Sequence, residues 1–411
     1  MLRTNGERLK ASLLEMGKIG ATPIGGVTRP SLTDEDKQGR DRLASWGRSA
    51  GLAVRVDDLG NMYLRLEGAD PTAAPVLIGS HNDTVPKGGK FDGTLGVLIA
   101  LEVVRSLVDA GIRPRRPVEV VNFTNEEGAR FEPAMMASGV LAGRFTRDYF
   151  YSRQDRDGKS LGSELERIGY KGSEDNRPKA IHAYIEPHIE QGPVLEAEGL
   201  PLAIVEGILG IVWMNITLTG QSEHAGSSPM RRRRDALVAA GRIVAGIRDL
   251  ALEYPDPIVA TVGRLQPLPG IINQIPGQVV MSAETRHPTM AGLEEGSERM
   301  QQLIRRIAAE ERVDVEIDVF WKIAPTVFDE RVLSALEESV RSLGIPYRRM
   351  TSSPGHDAKY IAEIAPTGML FVRTIGGRSH CETEDILWED VQAAADTVLN
   401  AALKLTEAEL S

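Results

Sequence analysis

Short stretches of the sequence carry side chains that suit metal and acid–base chemistry, and the densest of them is Gly79–Gly96. It reads GSHNDTVPKGGKFDGTLG and contains His81, Asp83 and Asp92. Imidazole nitrogens and carboxylate oxygens are ligands that a borderline cation such as Zn²⁺ takes in proteins. A single His-x-Asp pair in a loop is more often a surface feature than a ligand. The other stretches therefore decide the interpretation.

Those other stretches add histidines and a pair of adjacent carboxylates. The run Asn125-Glu126-Glu127-Gly128 offers one carboxylate that can bind a metal and one that can act as a general base. The further candidates are His188, which opens HIEQGP, His224, Asn273 and Arg286 in the middle of the chain, and His380 near its end. Three histidines, one aspartate and one glutamate beside strand ends or glycine turns fit a dinuclear site with a bridging carboxylate.

The elements that must position these residues alternate between strand and helix. Val76–Ile78 and Val118–Phe123 are predicted strands, and Leu95–Asp109 between them is a predicted helix. This rhythm predicts an α/β domain with a mostly parallel or mixed sheet. Ligand sites in such sheets lie outside the carboxyl ends of the strands. His81 and the 125–127 run both follow predicted strands, so we expect them to meet there.

From about Gly207 the pattern changes to that of a compact α+β unit. The predicted elements are strand Trp213–Leu218, helix Asp235–Leu252, strands Ile258–Leu265 and Gln278–Ala283, helix Leu293–Glu311 and strand Val313–Val319. This βαββαβ order predicts an antiparallel sheet with helices. Helix Glu330–Leu343 then returns to the first domain. We therefore expect a catalytic domain at 1–206 and 326–411, with a second domain inserted at 207–325.

Length and composition narrow the class of protein. The chain has 411 residues, of which 42% are hydrophobic and 26% charged, and its formal net charge is −10. These values favour an acidic, soluble, two-domain protein and give no support to nucleic-acid binding. The N-terminus lacks an apolar signal core, and no apolar run reaches the ~18 residues of a membrane span. A single cysteine, Cys381, excludes an intrachain disulfide and favours a cytoplasmic location.

Taken together, the motifs resemble the hydantoinase/carbamoylase branch of the dinuclear zinc amidohydrolases, relatives of aminoacylase and carboxypeptidase G-type enzymes. They span nearly the whole chain: GGVTRP at 25–30, GSHNDTVPKGGKFDGTLGV at 79–97, FTNEEGARF at 123–131, HIEQGPVLE at 188–196, EHAGSSPM at 223–230, NQIPG at 273–277, TRHP at 285–288, GHDA at 355–358 and SH at 379–380. The resemblance implies a metallopeptidase-like catalytic domain with a mixed sheet and an inserted lid and dimerisation domain.

The resemblance also implies a role for each candidate residue. Two divalent ions per subunit are expected, zinc first, with manganese, cobalt or nickel as alternatives. One ion would be held by His81, Asp92 and His188, and the other by Asp92, Glu127 and His380. Glu126 would be the general base, and Asp83 would orient His81. His224, Asn273 and Arg286 would contact the substrate from the lid domain, and Gln191 would hydrogen-bond its ureido or carboxylate group.

The activity that this resemblance implies is cleavage of N-carbamoyl-L-amino acids to amino acid, carbon dioxide and ammonia. A metal-bridged hydroxide would attack the carbamoyl carbon while His224 stabilises the oxyanion. An allantoate or ureidoglycolate amidohydrolase and a β-ureidopropionase are the alternatives in the same class. A catalytically silent binding protein would be expected to lack Glu126 or a ligand, and none is missing.

Departures from the family pattern bear on the substrate. Ile211-Val212-Trp213 has no positive charge where allantoate enzymes tend to carry an arginine. This favours a small-molecule substrate with one carboxylate and an apolar or variable side chain. The segment Cys381-Glu382-Thr383-Glu384, directly after His380, also differs from the family. A homodimer joined through the inserted domains is expected, with His224 reaching the partner's metal site.

Overall fold

The computed structural model describes residues 1–254 and 258–410. Its strands, in chain order, are β1 (Ala53–Val56), β2 (Met62–Leu66), β3 (Val76–His81), β4 (Val118–Phe123), β5 (Ala183–Ile189), β6 (Leu202–Ile208), β7 (Gly210–Thr219), β8 (Glu223–His224), β9 (Val259–Leu268), β10 (Gln274–Ile275), β11 (Gln278–His287), β12 (Asp314–Ile323), β13 (Thr326–Val327), β14 (Tyr347–Ser352) and β15 (Thr367–Val372). The helices are α1 (Gly6–Met16), α2 (Asp34–Ser49), α3 (Thr94–Asp109), α4 (Met136–Leu141), α5 (Arg147–Ser152), α6 (Leu161–Ile168), α7 (Val194–Glu198), α8 (Ala236–Glu253), α9 (Met290–Glu310), α10 (Glu330–Ser342), α11 (Ala358–Ile361) and α12 (Trp388–Glu407).

The chain divides into two compact units. The first consists of Met1–Gly207 together with Val327–Ser411, and the second of Ile208–Thr326. The roles expected for these parts, catalysis in one and lid and dimer contact in the other, stay predictions. Among the described residues, no helix combines the length and the apolar character that a membrane crossing requires.

The first unit is built on a nine-stranded mixed sheet, which confirms the predicted fold class. The strand order is β1-β2-β4-β3-β5-β15-β6-β13, with β14 paired to β6. The central strands β4, β3, β5 and β15 run parallel to one another, whereas β2 and β6 flank them antiparallel. Every residue of β3, β4 and β5 is buried, because parallel strands are covered on both faces. Their carboxyl ends lie at one edge, where the candidate residues begin.

Helix α3 joins β3 to β4 and covers the sheet behind that edge. Its sequence is apolar on nearly all sides, and 13 of its 16 residues are buried. Gly96 in its first turn permits this close packing, since a Cβ there would lie 2.2 Å from the Pro187 carbonyl oxygen of β5 and 2.9 Å from Ser80 Cβ of β3. Helix α2 begins directly after Thr33, whose side chain accepts a hydrogen bond from the Asp36 amide and caps the helix.

The second unit has the predicted βαββαβ order and an antiparallel sheet. The strand order is β12-β7-β11-β9, and helices α8 and α9 pack on one face. Along β7 and β11, buried residues alternate with half-exposed ones, which is the pattern of a sheet with one covered face. The ladder of β8 with β10 was not predicted, because its two-residue strands leave no periodic signal.

Strands β5, β6 and β14 were also missed. Strand β5 carries Glu186 and Pro187 inside a buried run, and both residue types are depleted in strands. Glu186 is accommodated because its carboxylate accepts hydrogen bonds from Ser80 Oγ at 2.8 Å and from the Ala358 amide at 2.7 Å. Strand β14 reads YRRMTS and, in the part of the chain that the structure describes, pairs with β6 alone. Its polar sequence at the margin of the sheet gives no apolar strand pattern.

Candidate metal centre

Five side chains predicted to bind metal converge at the carboxyl edge of the central strands. His81 ends β3, His188 lies near the end of β5, and Glu127 follows β4 within a tight turn. Asp92 precedes α3, and His380 lies in the loop after β15. The parallel strands bring three separate loops to one place, although the residues span 300 positions of the sequence. The edge rule for α/β sheets therefore accounts for the location.

These side chains form two groups that share Asp92. His81, Asp92 and His188 make one group, and Asp92, Glu127 and His380 make the other; within each group the ligand atoms lie within 4.8 Å of one another. One oxygen of Asp92, Oδ1, lies 3.2 Å from His188 Nε2 and 3.9 Å from His81 Nε2. The other oxygen, Oδ2, lies 3.3 Å from His380 Nε2. His380 Nε2 is also 3.3 Å from Glu127 Oε2. Each oxygen of one carboxylate therefore faces a different group.

The imidazoles of the first group are held in the orientation that metal binding requires. His81 Nδ1 donates to the Asp83 carbonyl oxygen at 2.9 Å, and His188 Nδ1 donates to the Ile189 carbonyl oxygen at 2.9 Å. These bonds place the ring proton on Nδ1 and turn Nε2 toward Asp92. In the second group, Glu127 Oε1 is buried and has no hydrogen-bond partner among the described residues. The donor set and this unpartnered oxygen fit divalent cations such as zinc.

The electrostatics of the cluster also favour a cation. Burial, followed by the negative charges of neighbouring carboxyls, raises the pKa of both Glu126 and Glu127 well above its ordinary value. Burial lowers the pKa of His81 to about 4, so that ring is neutral. Burial would also lower the pKa of His188, but the hydrogen bond with Asp92 raises it to about 9. The proton that His188 shares with Asp92 must leave when a cation binds. The positive charge of the cation then favours the ionised form of the neighbouring carboxyl groups.

Glu126, the predicted general base, lies in the same cluster. It is 6% exposed, and its Oε2 lies 3.4 Å from His81 Nε2. The turn before it depends on Asn125, which has a left-handed φ of 59° and whose Nδ2 donates to the Phe131 carbonyl oxygen at 2.7 Å. Asparagine tolerates this conformation better than most residues. The turn thereby sends two successive carboxylates, Glu126 and Glu127, toward the cluster.

Asp83, which was expected to orient His81, contacts that ring through its backbone. Its carbonyl oxygen accepts the hydrogen bond from His81 Nδ1, while its carboxylate Oδ1 is 3.9 Å from Nδ1. The carboxylate instead accepts from the backbone amides of Glu126 and Glu127, both at 3.3 Å. Asp83 therefore connects the β3 end to the Glu126–Glu127 turn. A sequence cannot distinguish a backbone contact from a side-chain contact of the same residue.

Gln191, predicted to contact substrate, lies against the shared carboxylate. Its Nε2 donates to Asp92 Oδ2 at 2.9 Å and to Ser379 Oγ at 3.3 Å. Its carbonyl oxygen is buried without a hydrogen-bond partner among the described residues. The amide nitrogen is thus committed to the cluster, and the carbonyl oxygen is the atom that remains for an N–H donor such as a ureido group.

The remaining predicted substrate contacts lie in the second unit. His224 and Asn273 are neighbours there, because the Ala225 amide donates to the Asn273 carbonyl oxygen at 2.9 Å. His224 Nδ1 accepts from the amides of Gly226 at 3.0 Å and Ser227 at 3.3 Å. The ring proton must therefore sit on Nε2, which makes the exposed end of the imidazole a donor. Arg286, on β11, forms an ion pair with Glu284 of the same strand at 3.1 Å.

Two residues at the cluster were not among the predicted site residues. His356 is buried, with its ring centroid 4.4 Å from that of His188. Glu384 is buried beside Asp92 and accepts a hydrogen bond from its backbone amide. Neither spacing nor periodicity marks these residues. The only signal for Glu384 was its position in the segment that departs from the family pattern.

Comparison with known proteins adds evidence that the geometry alone does not contain. A family model described as "Peptidase family M20/M25/M40" matches residues 77–404. The chain is 44% identical over 405 residues to the "N-carbamoyl-L-amino-acid amidohydrolase" of Rhizobium meliloti, covering 98% of this chain and 97% of the relative. It is 35% identical over 371 residues to the "Allantoate amidohydrolase" of Bacillus subtilis, covering 90% of each chain. A solved "Amidase, hydantoinase/carbamoylase family" from Burkholderia multivorans superposes with a TM-score of 0.96 at 46% identity and 100% coverage of both chains.

Proposed function

The chain belongs to peptidase family M20/M25/M40, and from this premise we propose that it hydrolyses the carbamoyl C–N bond of N-carbamoyl-L-amino acids. The products are the free amino acid, carbon dioxide and ammonia. The observation that carries the proposal is 44% identity, over nearly the full length of both chains, to a relative named for that reaction. A metal-dependent hydrolase acting on linear amides is the class that the buried cluster supports.

Two divalent cations per chain are part of the proposal. His81, Asp92 and His188 would hold one ion, and Asp92, Glu127 and His380 would hold the other. The two oxygens of Asp92 already face the two groups separately, which supports a shared ligand. Zinc suits this set of imidazoles and carboxylates. When bound, such a pair of cations lowers the pKa of a water molecule and polarises the carbonyl to be attacked.

Glu126 moves the proton in this mechanism. Its carboxylate lies at the His81 side of the cluster, buried and within 3.4 Å of that ring. It accepts a proton from the attacking water and delivers it to the leaving nitrogen as the carbamoyl C–N bond breaks. Burial and the neighbouring Asp357 and Glu127 raise its pKa well above the ordinary value. This environment favours a carboxyl that holds the proton between the two steps.

The second unit supplies the substrate contacts in this proposal. His224 presents an N–H at Nε2, because backbone amides occupy Nδ1, and this donor would stabilise the developing oxyanion. Asn273 lies beside it and would hydrogen-bond the ureido or carboxylate group. Arg286 would grip the substrate carboxylate with its planar fork. The chain is proposed to act as a homodimer in which His224 serves the partner's cluster.

Allantoate is the second candidate substrate, because a relative named for allantoate hydrolysis matches 90% of the chain. It ranks lower because identity to that relative is 35%, against 44% for the carbamoyl-amino-acid enzyme. Ile211 and Val212 also leave the start of β7 without positive charge. A second polar arm on the substrate would find less complementary charge there than a neutral side chain would.

A substrate panel on metal-reconstituted protein tests the proposal. The panel contains N-carbamoyl-L-amino acids, their D-enantiomers, allantoate and N-acetyl-L-amino acids, and both ammonia and free amino acid are quantified. We expect the highest kcat/KM for an N-carbamoyl-L-amino acid, with the matching D-enantiomer as the control. A higher kcat/KM for allantoate would transfer the assignment to the second candidate. A preference for the acetyl compounds would contradict both.

A further inference from the structure

The loop that carries His380 is closed at its base by the Ile375 amide, which donates to the Asp385 carbonyl oxygen at 2.9 Å, but the part with His380 needs side-chain contacts as well. His81 and His188 belong to buried strands, but the His380 side chain is 51% exposed and its φ is 55°. Gly376 and Gly377, just before it, also have positive φ angles of 66° and 61°. A non-glycine residue in the left-handed region persists only where surrounding contacts hold it. Among the five proposed ligands, His380 therefore depends most on such contacts.

Glu384 makes those contacts from four residues farther along the same loop. Its side chain is buried, and Oε1 accepts from the backbone amides of Phe91 at 3.0 Å and Asp92 at 3.1 Å. Its other oxygen, Oε2, lies 3.0 Å from Ser379 Oγ. A buried carboxylate with several donors is costly to displace, because each donor would be left unpaired. Glu384 thus ties the His380 loop to the turn that presents Asp92.

Ser379 extends the connection to the shared carboxylate itself. Its Oγ is 2.8 Å from Asp92 Oδ2, the oxygen that faces His380. Gln191 Nε2 reaches the same oxygen at 2.9 Å. The Oδ2 side of Asp92 is therefore oriented by residues on the His380 loop and by Gln191. The Oδ1 side faces histidines held by their own strands.

The turn before Asp92 accommodates the Glu384 carboxylate because residue 89 is a glycine. A Cβ on Gly89 would lie 1.9 Å from Cδ and from Oε1 of Glu384. Any side chain at this position would push the carboxylate out. Gly89 therefore makes room for Glu384. The substitution Gly89→Ala gives a second way to remove the contact without altering Glu384.

We propose that Glu384 is a positioning residue that docks the His380 loop onto the Asp92 turn and so completes the second cation position, formed by Asp92, Glu127 and His380. The inference rests on the proposed function, because it takes these three residues as ligands. The first position, formed by His81, Asp92 and His188, shares Asp92 but depends less on Glu384, because its two histidines belong to buried strands. Removing Glu384 should therefore weaken cation binding at the second position much more than at the first. Partners that orient metal ligands typically contribute about 10- to 100-fold in affinity.

Zn²⁺ binding to metal-free protein tests the inference without any activity assay. Chelator-buffered zinc is titrated against wild type, Glu384→Ala, Glu384→Gln and Gly89→Ala, and bound metal is counted by mass spectrometry. Glu382→Gln, on the same loop, is the matched control for loss of a carboxylate. We expect Glu384→Ala and Gly89→Ala to bind the second ion about 10- to 100-fold more weakly and the first ion as wild type does. Glu384→Gln should recover most of the affinity, because its amide can still accept from the backbone and donate to Ser379.

The possible outcomes distinguish failure of this inference from failure of the proposed function. Unchanged affinity for both ions in Glu384→Ala and Gly89→Ala would overturn the role of Glu384 and leave the two-ion site intact. Equal loss of affinity for both ions would also overturn it, because the Glu384 contacts should act mainly on the second position. If Glu384→Ala misfolds, the absence of a selective loss in Gly89→Ala would overturn it in the same way. A wild-type protein that takes up fewer than two ions would instead contradict the proposed site itself.

Discussion

Replacing Glu126 by glutamine isolates the proton acceptor from the rest of the cluster. Glutamine has the same shape, and the backbone contacts of residue 126 are independent of its side chain: its amide donates to Asp83 Oδ1 at 3.3 Å, and its carbonyl accepts from the Met135 amide at 2.7 Å. The turn should therefore keep Glu127 in place. An amide cannot accept the proton of the attacking water, so only that step is removed.

The substitution has an expected effect on catalysis and an expected effect on stability. Loss of a general base costs about 10²–10⁴-fold in kcat, which corresponds to about 2.7–5.5 kcal/mol of transition-state stabilisation. Stability should not fall, because burial and nearby Asp357 and Glu127 already disfavour the ionised form of Glu126. A neutral amide keeps this position uncharged, so it adds no repulsion with the neighbouring carboxyl groups. Metal-free Glu126→Gln should melt at or above the wild-type Tm.

Steady-state kinetics, metal analysis and thermal melting together decide the case. Glu127→Gln is the matched control, because it makes the same chemical change at the neighbouring carboxylate. We expect Glu126→Gln to retain full metal content with very low kcat, and Glu127→Gln to lose metal. The opposite pattern, an empty Glu126→Gln and a loaded but slow Glu127→Gln, would reverse the two roles. Wild-type kcat in fully loaded Glu126→Gln would refute the acid–base assignment.

Three further predictions test the metal, the substrate and the assembly. Chelation should abolish turnover and Zn²⁺, Mn²⁺ or Co²⁺ should restore it, whereas full activity in rigorously metal-free protein would refute metal catalysis. Arg286→Lys keeps the positive charge but loses the planar guanidinium that can bind a carboxylate with two hydrogen bonds, so KM should rise sharply for carboxylate substrates. An N-carbamoyl amine without a carboxylate serves as the control. An equal loss of kcat/KM on both substrates would mean that Arg286 has a structural role. Co-expressed His224→Ala and Glu126→Gln chains, each nearly inactive alone, should regain about a quarter of wild-type activity in mixed dimers. No recovery would show that His224 acts within its own subunit.

Most of the fold could be predicted because its signals are local. Thr33 and Asp235 are side-chain caps, and helices α2 and α8 begin directly after them. Apolar alternation marked the strands of the second unit. Strand β5 was lost because Glu186 interrupts an apolar run, and its burial depends on hydrogen bonds from Ser80 and Ala358, 106 and 172 residues away. Such pairings exist only after the chain has folded.

The candidate site shows the same division between residue types and contacts. Motifs and family resemblance named the five proposed ligands, and the structure brings their side chains together. Asp83 was expected to orient His81, but that its backbone oxygen makes the contact could not be read from the sequence. Glu384 was seen only as a departure from the family pattern, because its partner Asp92 lies 292 residues away. The type of a residue in a motif can indicate a metal ligand, but the contacts that orient that ligand form only when the chain packs.

The central claim is metal-dependent hydrolysis of the carbamoyl group, and the fate of the carbamoyl carbon tests it most directly. An N-carbamoyl-L-amino acid labelled with ¹³C at that carbon is incubated with metal-reconstituted and with metal-free protein, and the carbon is followed by NMR. We predict that the label passes from the ureido group to carbon dioxide and bicarbonate only with the reconstituted protein. One ammonia and one free amino acid should be released for each labelled carbon. Label that stays in the ureido group in the presence of bound metal would contradict the claim.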